Sequence, residues 1–299
     1  MHPAITPVVS APSRDSLLGS ILPTRACHGG HRVGTRLTHA PVILTLCQVV
    51  FNDIPDWDVK FQSGLRSAVI NAGYPLTWSE QIPAVGLLPA FSEDMAQGLR
   101  TQPQIMWRWL ARSIDNCTAF VFSSNAVSMM TAAYGDYAGL KRRFGSVLRL
   151  VEQFLEPKAV VRTGLRYVNL MKFEGRPASE ILASSVHGAA DDPGSLGTPT
   201  QTHCEAVFQI AGGTLIARTV TRNGEFAIAA ELMPLPVTLS EERIAGDLGH
   251  YALVDIDHFV QTNDSYEIAR VLQRLDTSHD TASMAFESIT TEEARTRWL

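Results

Sequence analysis

Apolar positions along this chain alternate between a period of two and a period near 3.6, and the switches divide it into strands and helices. Residues 42–51 are a nearly continuous apolar run, suited to a strand buried on both faces. Asn52-Asp53 and Pro55-Asp56 turn the chain, with Asp56 placed to cap a helix. Trp57, Phe61, Leu65, Val69 and Ala72 recur at helical spacing until Gly73 stops them. A short strand is expected at 77–80, then a loop-rich insert over 82–103. Segments 106–113 and 117–123 read as a hairpin and 126–133 as a further strand. A second helix follows Tyr134-Gly135-Asp136. Leu140, Phe144, Val147, Leu148, Val151, Phe154 and Leu155 lie on one side, and Lys141, Arg142, Arg143 and Arg149 on the other. Pro157 ends it.

The next strand, 159–171, carries two arginines among apolar neighbours. Alternation puts Arg162, Gly164, Arg166 and Val168 on one face and Val161, Thr163, Leu165 and Tyr167 on the other. Asn169 reads as a turn cap at its end. A break follows, with a short helix near 179–186 and a loop signal at 191–194. Strands are expected at 204–210, 214–222 and 225–233, joined by Gly212-Gly213 and Asn223-Gly224 turns. A strand at 251–260 leads into a long helix, 265–286, whose stripe is Ile268, Leu272, Leu275, Ala282 and Phe286. Thr290-Thr291-Glu292-Glu293 has the form of a capping box.

This order predicts an α+β protein with two antiparallel-sheet halves, each packed with helices. They cover 39–174 and 198–299, packed together as one unit. Residues 1–38 lack periodicity and read as a disordered extension or as sequence upstream of the native start. Their Cys27-His28-Gly29-Gly30-His31 run offers too few ligands for a metal site.

Composition narrows the function classes. The chain has 299 residues, 45% hydrophobic and 18% charged, with a net charge of −5. That balance gives no whole-chain attraction to nucleic acid or to an acidic membrane. Four dispersed cysteines suit reduced thiols and a cytoplasmic location. No apolar run is long enough for a spanning helix or has the form of a secretory signal. The nucleotide-binding, serine-hydrolase, zinc-protease and kinase motifs are missing, and no cofactor is called for.

Three constellations carry candidate chemistry. Arg162 and Arg166, with Asn169 nearby, would offer an anion-binding sheet face for a small ligand. The bland alternative pairs them internally with acids such as Glu205 or Glu231. Asp255 and Asp257 share a strand face in Val254–Phe259, with His258 on the other, and two such carboxylates can hold Mg²⁺ or Mn²⁺. A strand end whose acids pair with the arginines is the competing account. His279, on the stripe of the last helix, suits a core or interface histidine better than a catalyst. The basic helix face at 141–149 suits a solvated surface better than a phosphate-binding one.

Leu165–Asn169, the segment 254–259 and the terminal run 272–298 together resemble a sporadically distributed bacterial family of α+β proteins without assigned activity. The resemblance spans roughly 41–298. It implies an accessory or defence-type gene context and adds weight to the arginine, Asp-x-Asp-His and His279 positions without giving them roles. The expectation is therefore a soluble cytoplasmic binding or regulatory protein for an anionic ligand or a protein partner. The competitors are a metal-dependent hydrolase or nuclease using Asp255 and Asp257, and a structural homodimer joined through the last helix's stripe.

Overall fold

The computed structural model describes residues 39–83, 105–187, 197 and 199–299. The extension at 1–38, most of the insert at 82–103 and the loop signal at 191–194 lie outside the described residues.

Nine strands form a single sheet among the described residues: β1 (Val42–Phe51), β2 (Leu76–Pro83), β3 (Ile105–Arg112), β4 (Thr118–Phe122), β5 (Ala126–Thr131), β6 (Ala159–Lys172), β7 (Gln201–Ile210), β8 (Gly213–Glu225) and β9 (Asp247–Ser265). Their order is β2-β3-β4-β5-β1-β6-β9-β8-β7, and every neighbouring pair is antiparallel. The two stretches expected as separate sheets thus join along β6 and β9, whose register runs from Ala159↔Ser265 to Lys172↔Tyr251. Both strands are long and rich in residues that suit a pleated, buried surface, so they pair with each other as readily as with their local neighbours.

Helices cover one face. α1 (Trp57–Lys60) and α2 (Arg66–Asn71) flank a π-helical turn at Phe61–Leu65, which lets Phe61, Leu65 and Val69 all face the core. Asp56 does not cap by its side chain; it takes a left-handed backbone conformation instead. α3 (Tyr137–Leu155) is capped by Asp136, whose carboxylate accepts from the Gly139 amide at 2.6 Å. Phe144, Val147, Leu148 and Val151 bury its apolar side. α6 (Ile268–Ile289) lays Val271, Leu275, Ala282, Ala285 and Ile289 on β6, β8 and β9. Of the stripe expected to join two copies, Leu275 and Ala282 lie in this core, and Ile268, Leu272 and Phe286 pack against it half-buried. The helix expected near 179–186 is divided into a 3-10 turn, Ala178–Glu180, and α4 (Ser184–His187). In α7 (Glu292–Thr296) the cap is Thr291, which accepts from the Ala294 amide, so the third helical position holds no reciprocal Glu.

The stretch expected as a strand at 225–233 instead crosses the opposite face. Asn223-Gly224 forms no hairpin: β8 continues through it with a register shift, and Gly224 takes a φ of +112°. The crossing contains a 3-10 turn, Ala230–Leu232, and α5 (Glu241–Ile244). Leu232, Val237 and Leu239 cover Leu44, Val168, Leu170, Tyr251 and Leu253. Tyr251 anchors its start through hydrogen bonds with Glu225 O and the Ala227 amide. Arg243 ties its end to the Val42 carbonyl.

Candidate functional site

Strand parity on β6 and β9 puts Arg162, Arg166, Asp255 and Asp257 on the face opposite α3 and α6, beneath the crossing. Arg166 lies beside Asp257 and Val168 beside Asp255. On β8, Arg218 faces Asp255, and on β7, Glu205 faces Arg218. Four adjacent strands therefore bring alternating charges into one row, and the crossing adds Glu231 from above.

Arg166 grips Asp255 with two hydrogen bonds, Nε to Oδ1 at 2.7 Å and Nη2 to Oδ2. Its Nη2 also reaches Glu231 Oε1 at 3.0 Å. Arg218 donates to Glu205 and stands 3.5 Å from Asp255 and 3.8 Å from Glu231. Arg162 is held less completely. Nη1 donates to Gln48 at 2.7 Å, Nη2 is 3.7 Å from Asp257, and the guanidinium lies over the Phe259 ring at 4.1 Å. Among the described residues, Arg162 Nε has no partner.

The electrostatics follow these contacts. Burial works against the Arg166 charge, but the hydrogen bonds and the field of Asp255 outweigh it and raise its pKa. Burial likewise works against Glu231, yet its own backbone amide and Arg166 hold its carboxyl below the usual range. For Arg162, burial dominates and lowers the pKa despite Asp257. Burial raises Asp257, with Arg162 and Arg166 opposing the shift. Three guanidiniums thus meet four carboxylates, Glu205, Glu231, Asp255 and Asp257. The cluster already carries enough negative charge to neutralise its own cations.

The other candidate residues stand apart from it. Asn169 lies within β6 rather than at a turn, and its side chain donates to the Val254 carbonyl at 3.0 Å. His258 is buried on the helix face, where its Nδ1 shares a hydrogen bond with Ser278 Oγ at 2.8 Å. Burial pushes its pKa down. It cannot join Asp255 and Asp257 at one ion, because the sheet lies between them, and no three metal-ligating side chains converge among the described residues. His279 belongs to an aromatic stack at the start of α3. Its Nδ1 meets the Tyr167 hydroxyl at 3.0 Å and its ring lies 4.0 Å from that of Tyr137, nearly parallel. Tyr137 and Lys141 both donate to Asp276, so Lys141 is withdrawn from the basic helix face. Burial lowers the His279 pKa against the pull of Asp280 and Asp276.

Arg218 completes the row and was not singled out from the sequence; alternation along 214–222 was the signal that would have found it. A second surface feature was also missed. β7 is an outer strand, yet Val207, Phe208 and Ile210 are 45%, 48% and 38% exposed. Beside it an open groove of about 450 Å³ runs between β7, β8 and α6, lined by Ala206, Phe208, Leu215, Met284 and Ile289 among others. No family model matches this chain, and no curated protein matches it.

Proposed function

We propose that this protein is a cytoplasmic binding or regulatory protein that works through contact with another protein at the β7 edge. The carrying observation is that apolar groove beside an outer strand whose free edge meets no other described strand. An added strand would gain main-chain hydrogen bonds from β7 and send alternate side chains toward the groove. The internal neutralisation of Arg166 and Arg218 supports this reading over a small anionic ligand, since a further anion would meet four carboxylates. Displacing Arg166 and Arg218 from Asp255 would likewise oppose the metal-dependent hydrolase. Selection of random peptides displayed on phage tests the proposal. Wild-type protein enriches peptides alternating apolar and polar residues, and Phe208→Asp weakens them at least about tenfold. No enrichment, or enrichment blind to Phe208→Asp, refutes it.

One observation favours a second reading. Among the described residues Arg162 Nε has no partner and its nearest carboxylate is Asp257, 3.7 Å from Nη2, the arrangement an anion would complete. Calorimetry with inorganic phosphate decides it: heat that disappears in Arg162→Met supports an anion site, and no heat removes it.

A further inference from the structure

β7 has α4 packed near Cys204 and a charge at Glu205, but otherwise few of the devices that protect an outer strand. It carries no Lys, no Pro and no register shift against β8 over Gln201–Ile210. Apolar side chains stand on both of its faces, Val207 on one, Phe208 and Ile210 on the other. Its turn is Ala211-Gly212, one residue earlier than the glycine pair suggests, which makes Ile210 and Gly213 the bonded pair closing the hairpin. Cys204, Ala206 and Phe208 therefore bond β8, and the main-chain groups of His203, Glu205, Val207 and Gln209 point outward. No described strand meets them.

The groove side of β7 has an order of its own. Reading along the strand, Cys204 and Ala206 are small, while Phe208 and Ile210 are large. An antiparallel copy reverses that order. With Val207 opposite itself on a two-fold axis, Phe208 of one chain lies over Ala206 of the other, and Ile210 over Cys204. Large side chains then fill the space beside small ones twice over. On the opposite face Glu205 meets Gln209, and the two copies of Glu205 stay apart. Val207, Glu205 and Gln209 exchange their outward main-chain bonds. Met284, 64% exposed on α6, borders the same groove.

From this self-complementarity we infer that the partner at the β7 edge is a second copy of this chain, joined by antiparallel β7–β7 pairing in the register centred on Val207. The inference rests on the reading of the β7 edge as the contact surface. The pairing is isologous, so it closes at two chains and makes one continuous sheet across both. It uses a surface of the molecule other than the α6 stripe, which packs on the sheet.

Sedimentation equilibrium over a range of concentrations, with two variants, tests it. Wild type associates to a dimer. Val207→Lys places two ammonium groups against each other on the axis and weakens the dimer at least about a hundredfold, with thermal stability of the subunit retained. Ile210→Cys, mildly oxidised, forms a disulfide to Cys204 of the other chain, seen as a covalent dimer on a non-reducing gel and lost on adding Cys204→Ser. Within one chain those positions are roughly 20 Å apart along the strand and cannot bridge. A strictly monomeric wild type overturns the inference. So does a dimer indifferent to Val207→Lys, or one that forms no bridge. A monomer that still selects peptides through Phe208 leaves the proposed function standing, whereas one that selects none removes both.

Discussion

Arg166 shows how a sequence signal can be strong while its meaning depends on neighbours in space. Two arginines on a β-rich strand demand compensation, and alternation places both on one face; that much is legible in residues 159–171 alone. Which acids answer them depends on the register between strands about ninety positions apart, and no local pattern carries it. Asn169 is the matching failure: Asn favours turns, but here a buried carbonyl on β9 captures its amide. Arg166→Ala should cost about 3 kcal/mol in chemical denaturation, because buried Asp255 would lose its two-pronged partner and keep only Arg218, 3.5 Å away. A loss below about 1 kcal/mol would mean the pair is not structural. The two histidines give a pH prediction. Burial lowers both His258 and His279 from the ordinary 6.5, so the unfolded chain binds protons that the folded one refuses. Stability should therefore fall as pH drops below 6.5, and His258→Leu should make that fall shallower. Asp257 has the opposite sign. Its raised carboxyl pKa erodes stability as pH climbs above the ordinary 3.8, so Asp257→Asn should make that loss shallower in thermal melts followed across the acidic range.

Elements were readable where a period ran long enough. β1, α3, β6 and α6 emerge from apolar spacing, with ends within a few residues of those observed. The Asn223-Gly224 pair misled, since a glycine with positive φ serves a bulge inside a strand as well as it serves a turn. The crossing at 226–246 has scattered apolar residues because it follows the contour of a sheet and not its own period. Gly213 shows how tightly the edge hairpin is set. A β-carbon there would stand 2.3 Å from the Phe259 carbonyl oxygen, at a φ of +138°. Gly213→Ala should therefore cost more than about 2 kcal/mol and loosen β7 and β8 together. Hydrogen exchange would show faster amides on both strands, and unchanged protection there would contradict the packing described.

At the scale of the molecule, one sheet joins what the sequence divides in two, and the charge row runs from β6 to the outer strand β7. The face beneath the helices holds the larger apolar core, while the other face combines a smaller apolar patch with paired charges. No described helix is long and apolar enough to cross a membrane. The Arg166–Asp255 pair on β6 and β9 holds the sheet, whereas contacts are assigned to the outer edge of β7. An apolar replacement distinguishes them: buried ion pairs exchanged for apolar residues of similar volume often leave a fold as stable or more so. The most direct measurement is sedimentation equilibrium on the folded Arg166→Met, Asp255→Leu double variant. The expected outcome is a folded protein that associates as wild type does. A folded double variant that has lost its association would contradict it, placing the contact surface at the arginines rather than at β7.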